Sequence, residues 1–374
     1  MPLLMPKTLP SFYWLAAIGL LSLSFTNIAT ADDTTKAWKS AIYGRSTDDT
    51  LSSSTLVGLG LGIKLDHSVG ESILLNAKAG ASLEVGSSNA LFTDEFAPTN
   101  AFYLQNASMD WSVAKPFHLV FGALEQNQQE SPLVIAGGTF PAAREILSPE
   151  WNRWKTELSA QQAIPTSQRL TSKNVGKAAT PSLLTEKALV QFQSPDEAIF
   201  KAYISNFNFK NLTNGIAQDS RFDGNSVSGV LNGAQFIYAF HGWEYGASLS
   251  HPLSDHVAAS IGASFVKNMG APDGQNQGAF YFLSMDHHSD SFKWAPRFEY
   301  YHNESDSSPA FYTSKEYGHN NRKGLGGSFA VSILKSKLDI RARYMNARLI
   351  NPQTFQRDKF QFIEIDLETP YANF

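Results

Sequence analysis

The sequence predicts an all-β fold, an antiparallel up-and-down β-barrel that crosses a membrane on its strands. Three observations carry this. The chain opens with an export signal, its later segments alternate between two kinds of side chain over unusual lengths, and its composition pairs 12% aromatic residues with only 17% charged ones. An apolar exterior around a polar interior needs many aromatics and few charges.

The signal comes first in the chain. Lys7 is the only charged residue before Asp32, an apolar run extends from Phe12 to Phe25, and Ala29-Thr30-Ala31 supplies the small residues read at a cleavage site. The run is shorter than the ~20 apolar residues of a spanning helix. Residues 1–31 are therefore expected to be a cleaved signal peptide, and 32–374 a single barrel domain. No later segment holds ~18 uninterrupted apolar residues. The chain contains no cysteine, so neither disulfides nor thiolate metal sites enter the fold. A formal charge of −4 gives no electrostatic case for nucleic acid.

Alternation then recurs along the chain. Val57, Leu59, Leu61, Ile63 and Leu65 share one face of a segment whose other face carries Gly58, Gly60, Gly62 and Lys64. Ile73, Leu75, Ala77, Ala79, Ala81, Leu83 and Val85 oppose Asn76, Lys78, Gly80, Ser82 and Glu84 in the next. A period of two is the signature of a strand. Roughly 9–11 residues are needed to cross the hydrocarbon on a tilted strand, against about 5–6 in globular proteins.

In order, the predicted strands are 36–45, 55–65, 72–85, 101–113, 116–124, 186–194, 198–209, 230–251, 256–267, 278–288, 292–302, 323–334, 337–347 and 359–371. Connection lengths alternate short and long only if 230–251 is one strand, bulged where the phase slips at His241-Gly242. Short turns and longer external loops alternate in bacterial barrels, and strand numbers are even. The expected count is fourteen, or sixteen if Leu133–Phe140 pairs within an extra hairpin, with both termini on the short-turn side.

Aromatics cluster near strand ends, among them Phe102, Tyr103, Trp111, Phe117, Trp243, Tyr245, Trp294, Tyr300, Tyr301, Phe360, Phe362 and Tyr371. Such positions suit the headgroup level. The last strand ends in IEIDLETPYANF, with Ile363, Ile365, Leu367 and Tyr371 alternating before the terminal Phe374. Pro370 and Asn373 depart from that pattern. With the signal and the strand layout, this terminus resembles the Gram-negative outer-membrane porins. The resemblance implies an integral outer-membrane location in contact with lipid and lipopolysaccharide. It also implies recognition of the last strand by the barrel-assembly machinery. General porins of this kind are often homotrimers, although no residue here specifies one.

The connection 125–185, after the fifth strand, is the longest, and loops beyond about 12–15 residues are often functional. Porins carry their pore-narrowing loop at this place, so 125–185 is expected to fold into the lumen. Ser148 and Pro149 look like a helix start, and Trp151, Trp154 and Leu158 then share a helical face. This predicts a helix over 149–162 that presents Arg153 and Lys155 to the channel. Small residues on the inward face, Gly58, Gly60, Gly62, Gly80 and Ser82, would make room for it, as would Ser260, Gly262, Ser264, Gly326, Ser328 and Ser332.

The inward phase also carries charge. Arg297 and Glu299 share one strand; Asp339, Arg341 and Arg343 another; Glu364, Asp366 and Glu368 the last. Closure would set these last carboxylates beside Lys39 and Arg45 on the first strand. Opposite charges on neighbouring strands stabilise pairing, and charged linings also set ion preference. The candidate constriction residues are thus Trp151, Arg153, Trp154, Lys155, Arg297, Glu299, Arg341, Arg343, Glu364 and Asp366.

Other motifs carry less. The glycines of Gly58–Gly62 fall on one strand face, unlike a dinucleotide fingerprint. Asp286, His287, His288 and Asp290 fit a solvated turn better than a metal site, since adjacent strand residues point to opposite faces. No nucleophile, acid or base stands in a catalytic context. No enzyme activity and no cofactor or metal is therefore expected, which leaves an outer-membrane lipase or protease as the disfavoured reading. The expected function is a channel for passive diffusion of small hydrophilic solutes, or a substrate-specific uptake channel for a siderophore or sugar.

Overall fold

The computed structural model describes residues 34–49, 52–90, 95–126, 131–166, 179–352, 355–356, 358 and 359–373. The expected signal peptide and Phe374 lie outside the described residues. Residues 35–374 form one compact unit.

Sixteen strands make the wall. They are β1 (Thr34–Asp48), β2 (Ser52–Val69), β3 (Ile73–Ala90), β4 (Ala101–Ala114), β5 (Phe117–Glu125), β6 (Thr139–Leu147), β7 (Trp154–Ala163) and β8 (Ser182–Gln193). They continue as β9 (Ile199–Lys210), β10 (Phe240–Ser254), β11 (Val257–Asn268), β12 (Gln277–His288), β13 (Phe292–Asn303), β14 (Arg322–Ile333), β15 (Leu338–Leu349) and β16 (Lys359–Glu368). Each strand pairs antiparallel with its neighbours in sequence, and β16 closes on β1 with Arg45 opposite Glu364 and Ala41 opposite Glu368. Closure leaves no unpaired edge. Past Glu368 the ladder is interrupted at Pro370, which has no N–H to offer, and Ala372 and Asn373 rejoin β1 opposite Trp38 and Ala37.

The two strands beyond the expected fourteen come from within the 125–185 connection. Residues 149–162 form no helix. β6 and β7 are a hairpin, in which Ala142 to Leu147 pair with Ala163 to Leu158 and Trp151 faces Trp154 across the turn. Asn152 sits at φ 53°, the left-handed conformation that a two-residue hairpin turn requires and asparagine tolerates. Of the stretch Leu133–Phe140, only Thr139 and Phe140 join the wall. A hairpin adds two strands, so the parity survives. The expected strand 230–251 is shorter at its start and carries no bulge at His241-Gly242: β10 begins at Phe240, pairs in unbroken register through those residues and is irregular only at Pro252–Ser254, while Gln235 and Phe236 pair with Ser228 and Val227 in a small separate hairpin.

Turns join the strands at one rim, at 70–72, 115–116, 148–153, 194–198, 255–256, 289–291 and 334–337. The other rim carries 91–100, 126–138, 164–181, 211–239, 269–276, 304–321 and 350–358, and also the three-residue 49–51, shorter than expected. The 211–239 connection contains the helix α1 (Asn214–Phe222), which Thr213 caps through its side chain onto the Ile216 amide.

The period of two sorts the faces as read. Val57, Leu59, Leu61 and Ile63 keep 42–56% of their surface exposed, and Leu83, Phe298, Leu325, Ile363 and Ile365 continue that apolar exterior. The buried apolar cluster lies on the other face, toward the long-connection rim. Phe140, Leu183, Phe207, Phe240, Tyr301 and Phe362 supply it from the wall, and Leu133, Ile135, Ile216, Tyr312 and Tyr317 from the connections.

Candidate functional site in the barrel interior

Below the apolar cluster the inward face turns polar, because its alternate positions carry charge. Arg45 on β1 donates from Nε to Glu364 Oε2 on β16 at 2.8 Å, and Lys39 Nζ lies 2.9 Å from Glu368 Oε2. Both pairings across the closing seam are those that the strand phase predicts. Arg343 on β15 stands 3.8 Å from Glu364 and also binds Glu316, and Arg341 faces Asp366 in register. On β13, Arg297 donates to Glu299 at 2.5 Å, and its guanidinium lies 4.2 Å from the Phe282 ring centroid. The charges are thus largely met by opposite charges on adjacent elements. Arg297, Glu299, Arg341, Arg343, Glu364 and Asp366 occupy the contiguous arc β13–β16.

Trp151, Arg153, Trp154 and Lys155 are elsewhere. They form the β6–β7 turn at the short-turn rim. Lys155 pairs with Glu150 at 2.8 Å, Trp154 packs on Phe192 with ring centroids 4.7 Å apart, and Arg153 accepts the Gln193 amide on its carbonyl. Half-exposed tryptophans at this rim fit an interfacial girdle rather than a lumen helix.

Several interior groups escaped the sequence reading. Glu316 and Tyr317 reach the β13–β16 arc from the 304–321 connection, where the Tyr317 hydroxyl donates to Glu299 Oε2 at 2.8 Å. Burial pushes the Glu316 carboxyl upward, with Arg343 opposing. No periodicity marks a connection, so nothing in the sequence flagged them. Glu244 on β10 could have been found, since it alternates with the exposed Trp243 and Tyr245. It accepts from Tyr203 at 3.1 Å and from Ser131. On β6, Arg144 donates to Gln161 at 2.9 Å, and Gln161 donates on to Gln126.

In the connection after β5, residues 131–136 make contacts far from that strand. Ser131 donates to Glu244 on β10, and the Leu133 carbonyl accepts from Asn303 on β13 at 3.2 Å and from Ser308 at 2.7 Å. The Ala136 amide donates to the Tyr312 carbonyl at 2.8 Å. β13 is eight strands from β5, half of a sixteen-strand ring. Leu133 and Ile135 are fully buried.

Near the 289–291 turn, His287 stacks on Trp294 with ring centroids 5.2 Å apart, while His288 meets His256 edge-on at 5.5 Å. The adjacent histidines diverge, as a strand requires. Among the described residues, the metal-ligating side chains that converge are Glu95, Asp223 and His319.

No protein-family model and no curated protein matches the chain. Solved structures do resemble it. OprB of Pseudomonas putida at high pH superposes with a TM-score of 0.59 at 9% identity, covering 96% of each chain, and its low-pH form gives 0.53 at 7% identity. OmpT of Vibrio cholerae, described as an outer-membrane protein and solved without its loop L8, gives 0.51 at 11% identity, covering 91% of this chain and all of its own. At such identities the likeness is one of fold, and the fold this chain shares is that of bacterial outer-membrane β-barrels.

Proposed function

We propose that this chain is an outer-membrane channel through which small hydrophilic solutes diffuse. The observation that carries the reading is a closed sixteen-strand ring with an apolar exterior and a charged interior. Eight-stranded barrels are filled by their own side chains, whereas 16–18 strands leave an aqueous channel. Side chains such as Arg341 and Asp366 on an inward face call for water, and leucines half-exposed on the other call for lipid. The outer-membrane likeness of the fold supports the same location.

The 126–138 and 304–321 connections narrow this channel in our reading. Ser131 and Leu133 of the first sit against β10 and β13, and the second brings Glu316 and Tyr317 against Arg343 and Glu299. The remaining path runs beside Arg297, Glu299, Arg341, Arg343, Glu364 and Asp366. Because most of these charges are paired, ion preference should be modest. Purified protein in multilamellar liposomes tests the reading. Swelling in isotonic sugar solutions should be fast for pentoses and hexoses and fall steeply for trisaccharides. Protein-loaded liposomes that swell no faster than empty ones would refute it. Swelling confined to one solute of a size series would favour the substrate-specific form.

A further inference from the structure

We propose that Glu95, Asp223 and His319 form a binding site for one divalent transition-metal cation of the zinc class, which ties together three of the long connections. The three side chains come from 91–100, 211–239 and 304–321, and one ligand atom from each lies within 4.8 Å of the others. One imidazole and two carboxylates are a donor set that such a cation accepts, with donors about 2.0–2.2 Å from the metal and a fourth position left to water. The imidazole disfavours magnesium and calcium, which prefer oxygen alone.

Two further features point to a cation. The Asp223 carboxylate is buried and shares its surroundings with the Glu95 carboxylate and the His319 imidazole. It also caps the C-terminus of α1, the negative end of the helix dipole, where a carboxylate is disfavoured and a cation favoured. Arg221 in the last turn donates instead from one terminal nitrogen to the Val227 and Gly229 carbonyls, with its guanidinium over the Phe355 ring. His319 Nε2 lies 2.9 Å from Glu95 Oε2, so the imidazole and this carboxylate already converge on one point.

The surroundings hold the imidazole in place. His319 adopts φ 64°. Its amide donates to the Ser314 carbonyl at 3.1 Å, and its carbonyl accepts from the Tyr301 hydroxyl at 3.0 Å. Thr313 gives its proton to the Ala310 carbonyl, so its oxygen, 3.5 Å away, can accept from Nδ1–H. That arrangement fixes the tautomer with Nε2 free to ligate. Gly224 allows the chain after Asp223 to lie against Asn320, since a Cβ there would sit 2.5 Å from the Asn320 carbonyl oxygen. Glu95 keeps 26% of its side chain exposed, which leaves the site open to external solvent.

The test is independent of channel activity. Full-length refolded protein in detergent, stripped with chelator, is titrated calorimetrically with Zn²⁺ at pH 7, with Ca²⁺ and Mg²⁺ in parallel. Zinc-edge absorption is then read on the loaded sample. The expected result is one saturable zinc per chain, nitrogen/oxygen ligation including one imidazole, and no comparable binding of Ca²⁺ or Mg²⁺. Asp223→Asn keeps the His319–Glu95 hydrogen bond and should weaken zinc about a hundredfold; Glu95→Gln gives the second test if Asp223→Asn does not refold. Absence of a saturable site, or zinc bound as tightly by the variants, would overturn the proposal, the latter showing capture by surface histidines such as His256. Equal affinity for Ca²⁺ would overturn the metal class.

Discussion

Gly58 and Gly80 occupy inward positions, and each lies under a tyrosine ring. A Cβ on Gly58 would fall 2.2 Å from Tyr43 Cζ, and one on Gly80 2.4 Å from Tyr103 Cζ. The small residues that the sequence suggests as room for an inserted loop are, at these two positions, covered by aromatic rings from the neighbouring strands. Tyr43 also donates to Glu84 at 2.7 Å, so displacing its ring breaks a hydrogen bond as well. Gly58→Ala should therefore cost about 1–3 kcal/mol, measured by urea unfolding in lipid. The cost should largely vanish in a Tyr43→Ala background. Equal costs in both backgrounds would show that the ring is not the cause. At this scale the sequence was most legible where strand phase decides: Arg45 and Glu364 could be paired from their inward phase and the adjacency of first and last strands. It was least legible at Glu316 and Tyr317, whose place depends on how a connection folds back.

Among the elements, the β6–β7 hairpin shows how a short apolar pattern can mislead. Trp151, Trp154 and Leu158 are spaced for a helix face, and Ser148-Pro149 for its start. The same residues read equally well as two strands flanking a two-residue turn at Asn152-Arg153, with Trp151 opposite Trp154. Length and parity could not separate the readings, because a hairpin changes the strand count by two and leaves every later strand in the same direction. The structure pairs them as a hairpin. The segment we propose to narrow the channel is 131–138, anchored at Leu133 by Asn303 and Ser308. Deleting Leu133–Ala136 should raise single-channel conductance about twofold or more. An unchanged conductance would place the constriction elsewhere.

For the whole molecule, orientation and permeation are the claims at stake. In the proposed outer-membrane channel, the alternation of short and long connections would set the short turns toward the periplasm and 269–276 or 304–321 toward the exterior. The absence of native cysteine makes this directly testable. A cysteine replacing Asp273, whose side chain is 88% exposed, should react with an impermeant maleimide on intact cells. One replacing Lys337 in the 334–337 turn should react only after lysis. The reverse pattern would invert the barrel. The central claim, that the charged interior is a water-filled path, is tested most directly by reconstituting purified, folded protein in a planar bilayer. Discrete, uniform conductance steps in simple salt are the predicted result; a folded preparation that inserts and stays electrically silent would contradict it.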